Sequence, residues 1–126
     1  MSYDPLYNEE NFYIVYEPDD YLDTLYQVTI TIDNYNARFS ADLKSHNATF
    51  TTKENTNIIA NLRKGASVKV LSEYKGNDSE KRTWLYVEIS ENAILQNSPI
   101  DYDFENQTLR AWISDKYTSK KYLIDY

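Results

Sequence analysis

Two neighbouring stretches of the chain alternate apolar and polar residues one by one. Residues 26–32 (YQVTITI) place Tyr, Val, Ile and Ile at every second position, and residues 35–43 (YNARFSADL) do the same with Tyr, Ala, Phe, Ala and Leu. A period of two puts apolar side chains on one face of a strand, so each stretch predicts a half-buried strand. Only Asp33 and Asn34 separate the two, and both residue types tolerate the positive φ of a tight two-residue turn. The sequence therefore predicts a β-hairpin over residues 26–43.

The rest of the chain adds short segments of the same character. An aromatic fraction of 15% agrees with this, because aromatic and β-branched residues fit a pleated, half-buried surface. Residues 19–25 (DDYLDTL) are predicted to form a turn or one short helix that Asp19 or Asp20 caps. With no long helical pattern in 126 residues, the predicted fold class is all-β, a barrel or a sandwich in one compact unit. The strands predicted outside the hairpin are NFYIVY, ATFTT, NIIANL, ASVKVLSEY, TWLYVEIS and LRAWIS.

The charge of the chain is unevenly distributed. Residues 1–45 contain nine acidic and two basic residues, whereas residues 46–126 contain eleven of each, so the first third holds the entire formal net charge of −7. Tyrosine beside carboxylates suits a protein interface, and an acidic surface speeds the capture of a basic partner. The alternative, which stays open, is a solubilising surface over core tyrosines. The candidate interface residues are Tyr13, Tyr16, Tyr21, Asp19, Asp20 and Asp23.

The chemistry that the side chains offer argues against an enzyme. The chain has no cysteine, His46 as its single histidine and no Gly-x-Ser-x-Gly turn, so it lacks the usual groups for a nucleophile and its base. Two isolated glycines cannot form a phosphate-binding loop, and the acidic charge argues against a nucleic-acid partner. No stretch is long and apolar enough for a membrane span, so no membrane partner is expected. We therefore expect a non-enzymatic protein without a cofactor.

A possible metal site lies late in the chain. Asp101, Asp103 and Glu105 alternate in IDYDFEN and would project from one side of an extended segment, where their oxygens could hold a calcium ion. The calcium-loop signature also has a central glycine, which is missing from this stretch. The favoured interpretation is a solvated acidic loop, and no metal site is expected.

Aromatic residues in two predicted strands raise the question of a ligand groove. In TWLYVEIS, Leu, Val and Ile alternate toward the interior, which leaves Trp84 and Tyr86 on the opposite face. In LRAWIS the same argument places Trp112 outside. Monomers rarely leave such a patch bare, so it either binds a ligand or is covered by the N-terminal strands. Covering is the favoured interpretation for Trp112, and both alternatives stay open for Trp84 and Tyr86.

Several short motifs follow one another in a distinctive order between residues 46 and 117. They are the apolar run NIIANL, the turn RKG, the alternating strand ASVKVL, the strand TWLYVEI and the segment LRAWISDKY. This order resembles the bacterial Src-homology-3 (SH3-like) domain, whose members run through IAxLxKGxxVxVL, then WxxV, then GWI or GWV and a late tyrosine. The chain departs from that pattern at Ala111, which replaces a glycine, and at residues 91–107, which replace a short hairpin. Gly65 in RKG is expected to adopt positive φ, which glycine does without steric cost.

The resemblance implies a small SH3-like β-barrel extended by an N-terminal β-hairpin region. Residues 46–126 would form the barrel, with residues 91–107 as an insertion, and residues 1–45 would be an acidic, Tyr-rich extension packed on it. Such a module would be bacterial and non-enzymatic, and it would bind a peptide, a protein or a cell-wall peptide. The groove residues implied are Trp84, Tyr86, Tyr102 and Phe104.

A second hypothesis follows from the charge and not from a motif. A cytoplasmic acidic inhibitor or immunity-type protein would block a basic partner, such as a nuclease toxin, with the Tyr-rich acidic face. The first residues, MSYDPLYNEE, do not have the character of an export signal, so a cytoplasmic location is expected. A signal ahead of Met1 in the natural gene would instead indicate the cell envelope or the cell exterior.

Overall fold

The fold consists of short antiparallel strands. The computed structural model describes residues 3–7, 12–41, 58–76, 81–95 and 108–122. Within these residues a 3₁₀ turn, Glu91–Ala93, follows the seventh strand. The strands are β1 (Tyr3–Tyr7), β2 (Phe12–Tyr16), β3 (Tyr26–Ile30), β4 (Tyr35–Arg38), β5 (Ile58–Leu62), β6 (Ser67–Lys75), β7 (Thr83–Ile89), β8 (Leu109–Ser114) and β9 (Thr118–Tyr122).

Strands β3 to β9 form one antiparallel sheet, which confirms the predicted all-β fold. Their order is β5-β4-β8-β7-β6-β3-β9, and β1 pairs with β2 in a separate two-stranded sheet. The seven-stranded sheet is not closed: among the described residues, β5 and β9 are its outer strands and do not pair with each other. The chain after the 3₁₀ turn covers the edge of β5, where Leu62 bridges to Ile94 and the Leu95 N–H donates to the Asn61 carbonyl at 2.9 Å.

The predicted hairpin between β3 and β4 is wrong in its pairing, although both strands and the turn between them are present. β3 hydrogen-bonds to β6 on one side and to β9 on the other, and β4 lies between β5 and β8. Both edges of each strand are therefore occupied by partners that are distant in sequence. Alternation and turn residues predict strands and a change of direction, but they do not determine which edges meet.

β3–β4 and β5–β6 together form one long antiparallel ladder that is bent in the middle. β3 pairs with β6 in the first half, and β4 pairs with β5 in the second. We call the bend, residues 31–34 together with residues 63–66, the corner. The pairs on either side of the corner are Thr29 with Ser67 and Tyr35 with Leu62.

Two residues with positive φ occupy the corner. Asn34 has a φ of 58° and Gly65 has a φ of 87°, which confirms the positive φ expected of the glycine. A Cβ is crowded in this region, so glycine adopts it freely and asparagine adopts it more readily than most residues. The Gly65 N–H donates to the Ile30 carbonyl at 2.8 Å, and the Lys64 N–H donates to Asp33 Oδ1 at 3.0 Å. These bonds tie the two sides of the corner together.

The N-terminal third contributes strands to the main sheet. β3 lies inside that sheet, between β6 and β9, and β4 lies between β5 and β8. The boundary predicted at residue 45 therefore separates strands that hydrogen-bond to one another. Among the described residues of this third, the β1–β2 pair forms a separate sheet, and Val15 on β2 belongs to the same buried core cluster as the main sheet.

Strand β7 is buried on both faces. Trp84, Leu85, Tyr86 and Val87 are all buried, so the alternation between interior and exterior predicted for this strand is absent. A strand that is covered on both sides forms a continuous buried run. Part of the cover comes from the segment before β3, because the Tyr21 ring lies edge-on to the Tyr86 ring with centroids 6.2 Å apart.

Candidate functional site

Trp84 and Tyr86 belong to the core. Their exposed fractions are 2% and 0%, and Trp112 is 4% exposed, with its ring 5.1 Å from that of Tyr86. β4 pairs with β8 through Arg38 and Trp112, so a strand from the N-terminal third lies beside this tryptophan. The burial expected for Trp112 is confirmed, and the structure places Trp84 and Tyr86 in the core as well. The aromatic groove implied at Tyr86 is therefore not formed by the described residues.

Trp84 packs at the margin of the core against a glycine and a cation. A Cβ on Gly76 would lie 3.1 Å from both Cδ1 and Nε1 of the indole, which is closer than an ordinary contact. The Gly76 N–H donates to the Arg82 carbonyl at 3.0 Å, and the Arg82 guanidinium carbon lies 5.8 Å from the centroid of the Trp84 ring. The absence of a side chain at Gly76 thus allows the chain to approach the indole closely.

The other residues singled out in the sequence are distributed between β2 and undescribed parts of the chain. Tyr13 and Tyr16 lie on β2, where the backbone register places them opposite Leu6 and Tyr3. The residues outside the described part of the chain are His46, Asp101, Tyr102, Asp103, Phe104 and Glu105.

Residues 17–25, which we call the acidic segment, connect β2 to β3 without a helix. Asp19, Asp20 and Asp23 are exposed, and Tyr21 exposes 50% of its surface. The segment is attached to β6: the Leu22 N–H donates to the Leu71 carbonyl at 2.9 Å, and the Ser72 hydroxyl donates to the Asp20 carbonyl. Of the two predicted forms of DDYLDTL, the short helix is absent, and residues 19–25 are irregular backbone with bends at residues 19, 23 and 24. Three carboxylates and one tyrosine are thus presented on a fixed backbone.

A surface pocket of about 260 Å³ opens beside the corner. Its walls come from the corner, from β4, from the start of β7 and from the turn between β8 and β9. We call it the corner pocket. Its lining residues are Ile32, Asn34, Tyr35, Asn36, Arg38, Arg82, Trp84, Ser114, Lys116 and Tyr117.

Tyr35 is held in the corner pocket by burial and by two hydrogen bonds. It is 9% exposed, its hydroxyl donates to the Ser114 carbonyl, and the same hydroxyl accepts the Tyr117 N–H at 3.4 Å. Burial raises the pKa of the Tyr35 hydroxyl above its ordinary value of 10.0, and the charge of Asp115 adds to this; the hydrogen bonds and Arg82 act in the opposite direction. The hydroxyl therefore stays protonated at neutral pH and acts as a fixed dipole.

The rim of the corner pocket combines apolar and cationic side chains. Ile32 and Tyr117 expose 37% and 42% of their surfaces, and the Tyr117 ring lies edge-on to Tyr35 at a centroid distance of 6.2 Å. The Lys116 ammonium lies 5.6 Å from the centroid of the Tyr117 ring. Together with Arg38 and Arg82 this gives three basic residues in the lining. Such a surface can contact an apolar group and an anion at the same time.

Sequence patterns missed most of this pocket because its residues come from separate elements. Tyr35 lies on the apolar side of an alternating strand, and Arg38 lies on its polar side. The strand pattern accounts for both residues, so neither was predicted to be a site residue. One signal was present: the late tyrosine of LRAWISDKY, part of the SH3-like motif order, is Tyr117. Trp84, which the sequence had singled out as a groove residue, contributes to the pocket wall from a buried position.

Comparison with protein-family models, with curated proteins and with solved structures gives no match to this chain. Within the part of the chain that the structure describes, no helix has the length and apolar character needed to cross a membrane. In that same part, His, Asp and Glu side chains form no group of three or more that could hold a metal ion.

Proposed function

We propose that this protein is a non-enzymatic binding module of the bacterial SH3-like type that recognises a peptide, a protein segment or a cell-wall peptide in the corner pocket. The observation that carries the proposal is an open pocket whose aromatic wall is fixed to the main sheet. Tyr35 and Trp84 are buried at its base, while Tyr117 is half exposed at its rim. Aromatic side chains supply a large contact area at a low entropy cost, which suits recognition.

The volume of the pocket favours one anchoring side chain over a whole small-molecule ligand. Pockets for drug-sized ligands usually enclose roughly 300–1,000 Å³, and the corner pocket, at about 260 Å³, lies below that range. A longer chain would place one side chain in the pocket and run across the surface beside it. Extended peptides commonly bind in this manner.

The chemistry of the lining favours binding over catalysis. A general acid or base works best with a pKa near the working pH, and burial moves the pKa of Tyr35 away from neutrality. The other described lining groups are the side chain of Ile32 and arginine, lysine, amide, hydroxyl and ring groups. Three motifs of the SH3-like order, ASVKVL, TWLYVEI and LRAWISDKY, lie on or beside β6, β7 and β8, which are neighbours in the sheet, and this supports the proposed type. The first motif, NIIANL, lies on the outer strand β5.

Retention of the full chain on purified cell-wall sacculi and on an immobilised peptide library tests the proposal. We expect Tyr117→Ala to lower retention by about tenfold, as truncation of an aromatic anchor does at other interfaces. Tyr74→Ala is the matched control, because Tyr74 is 47% exposed on β6 and does not line the pocket. Equal retention of the two variants would contradict the proposal.

A second candidate function is inhibition of a basic partner in the cytoplasm by the acidic segment. The exposure of Asp19, Asp20 and Asp23 beside Tyr21 favours it, and the hydrogen bonds to β6 hold the segment in place. Reversal of the three aspartates to lysine should slow association with a basic protein and remove its salt dependence. Glu91→Lys, an exposed reversal in the 3₁₀ turn, should leave the association rate unchanged.

A further inference from the structure

The residues that line the corner pocket carry a charge opposite to that of the whole chain. Arg38 comes from β4, Arg82 precedes β7, and Lys116 lies in the turn between β8 and β9. None of the described lining residues is Asp or Glu, although the chain has a formal net charge of −7. Three cations from separate elements create a positive field at the pocket that the net charge does not reveal.

Ring contacts hold two of these cations near the pocket before a ligand arrives. The Arg82 guanidinium lies over the Trp84 ring at 5.8 Å, and the Lys116 ammonium lies over the Tyr117 ring at 5.6 Å. A side chain that is already positioned loses less entropy when it binds. Arg38, Arg82 and Lys116 also make other interactions within the protein. A guanidinium has five N–H donors and an ammonium has three, so each group can donate more than one hydrogen bond.

The carboxylate nearest in sequence to Lys116 lies outside the lining, although its negative charge acts on Tyr35 and helps to raise the pKa of that hydroxyl. Asp115 Oδ1 accepts the Thr83 N–H at 3.1 Å, and Asp115 is absent from the pocket wall. Beside the cations, Ile32 and Tyr117 offer exposed apolar surface. A ligand group that matches the cations and the apolar rim together has an anion joined to an apolar or aromatic body.

We infer that the corner pocket selects a carboxylate of its peptide ligand, carried next to an apolar or aromatic side chain. This inference rests on the proposed function, because it names the group that a peptide-binding corner pocket would choose. The guanidinium forks of Arg38 and Arg82 match the two oxygens of a carboxylate, and Lys116 adds a point charge. A C-terminal carboxylate and an acidic side chain share this chemistry. Charge-assisted hydrogen bonds of this kind should favour the acid over its neutral amide by about tenfold.

Two matched pairs of small probes test the inference by nuclear magnetic resonance titration of the full chain. The first pair is N-acetylphenylalanine and N-acetylphenylalaninamide; the second is the dipeptide amides N-acetyl-Phe-Glu-amide and N-acetyl-Phe-Gln-amide, which keep an aromatic ring beside the side-chain carboxylate. We expect each acid to shift the amide signals of Lys116 and Tyr117 and the indole signal of Trp84 at about tenfold lower concentration than its neutral partner. The difference should shrink as salt is added. Comparison of the two acids shows whether the terminal or the side-chain carboxylate binds better.

Substitutions that remove one charge connect the selectivity to the pocket. Lys116→Gln and Arg82→Gln should bring the affinity for each acid close to that for its amide. Lys69→Gln, at an exposed position on β6 outside the lining, should leave the selectivity unchanged. Lys116 is itself exposed, so its substitution tests the inference without disturbing the core. For the Arg82→Gln variant, an unchanged unfolding midpoint shows that the fold is intact.

The outcomes separate the inference from the proposed function. Equal affinity for acid and amide overturns carboxylate selection and leaves the peptide-binding pocket standing. Failure of all four probes to shift the pocket signals, while Tyr117→Ala still lowers peptide retention, also overturns the inference alone. Failure of the probes together with an unaffected Tyr117→Ala variant overturns both.

Discussion

The acidic segment and the corner pocket differ in how they acquire their charge. In the acidic segment, Asp19, Asp20 and Asp23 are close in sequence and exposed along one short stretch. In the corner pocket, the basic residues come from β4, from the start of β7 and from the β8–β9 turn, and only the fold brings them together. The two surfaces thus have opposite signs on one small protein. The formal net charge of −7 has the same sign as the acidic segment, and it gives no indication that the corner pocket is basic.

The two surfaces also differ in how deeply they are connected to the core. The corner pocket is built on Tyr35 and Trp84, which are 9% and 2% exposed. The acidic segment rests on β6 through two hydrogen bonds, and its carboxylates are exposed. Changes to the pocket base should therefore affect stability and binding together, whereas changes to the acidic carboxylates should affect binding alone.

Removal of the indole at the base of the pocket should have the largest effect. Trp84→Ala deletes a buried ring that contacts Gly76 and Arg82, so we expect it to lower the free energy of unfolding by about 3–5 kcal/mol. Denaturant unfolding of the full chain measures this loss. Tyr74→Ala, at a 47% exposed position, should change the same quantity by no more than about 0.5 kcal/mol. Similar losses in the two variants would mean that the pocket base is not part of the core.

A substitution in the corner beside the pocket should have the next largest effect on the free energy of unfolding. Gly65 has a φ of 87° and no heavy atom within 4 Å of the position that a Cβ would occupy, so a substitution strains the backbone without a collision. We expect Gly65→Ala to lower the free energy of unfolding by about 1–2 kcal/mol. Gly65→Asn should lower it by less, because asparagine tolerates positive φ better than alanine. A larger loss for Asn than for Ala would contradict the backbone explanation.

The existence of most strands could be predicted from the sequence, because each depends on a local pattern. LRAWIS was predicted with its observed bounds, Leu109–Ser114, and TWLYVEIS differs from β7 by one residue. β9, with the sequence TSKKY, was missed because it has no apolar alternation and is a strand only through its pairing with β3. β1 was missed because it contains Pro5, which strands tolerate at a sheet edge.

The pairing of the strands and the site could not be predicted, because both depend on contacts between distant residues. Asp33 and Asn34 indicated a change of direction, yet the sequence does not say that this change is a corner rather than a hairpin. The burial of Tyr86 depends on Tyr21, 65 residues earlier, which covers the face that alternation assigned to solvent. The corner pocket depends likewise on residues from four separate elements.

Removal of a single hydroxyl from the pocket should have a smaller effect on the free energy of unfolding, and this effect should depend on pH. Tyr35→Phe removes the hydrogen bond to the Ser114 carbonyl and should lower the free energy of unfolding by about 0.5–1.5 kcal/mol at neutral pH. The pKa of Tyr35 is raised in the folded state, so the folded protein holds this proton more tightly than the unfolded chain. The stability of the unsubstituted protein should therefore fall as the pH rises above the ordinary tyrosine value of 10.0.

The Tyr35→Phe variant should lose this part of the pH dependence. Denaturant unfolding of both proteins at neutral pH and above pH 10 measures the difference between them. Tyr117→Phe is the matched control, since it removes a hydroxyl from a ring that is 42% exposed in the same pocket. An identical decline with pH in the unsubstituted protein and the Tyr35→Phe variant would show that Tyr35 is not the group that titrates.

Neutralisation of the acidic segment should affect stability least. Asp19, Asp20 and Asp23 are exposed, so their joint replacement by asparagine should change the free energy of unfolding by no more than about 0.5 kcal/mol. Asparagine keeps the shape of each side chain, and the hydrogen bond at Asp20 uses its backbone carbonyl, which the substitution retains. If the two surfaces act separately, the variant should bind N-acetylphenylalanine at the corner pocket with an affinity within about twofold of the original. It should also lose its salt-sensitive attraction for a lysine-rich peptide. A marked gain in affinity at the corner pocket would instead show that the acidic segment repels anionic ligands from it, and that the two surfaces work as one.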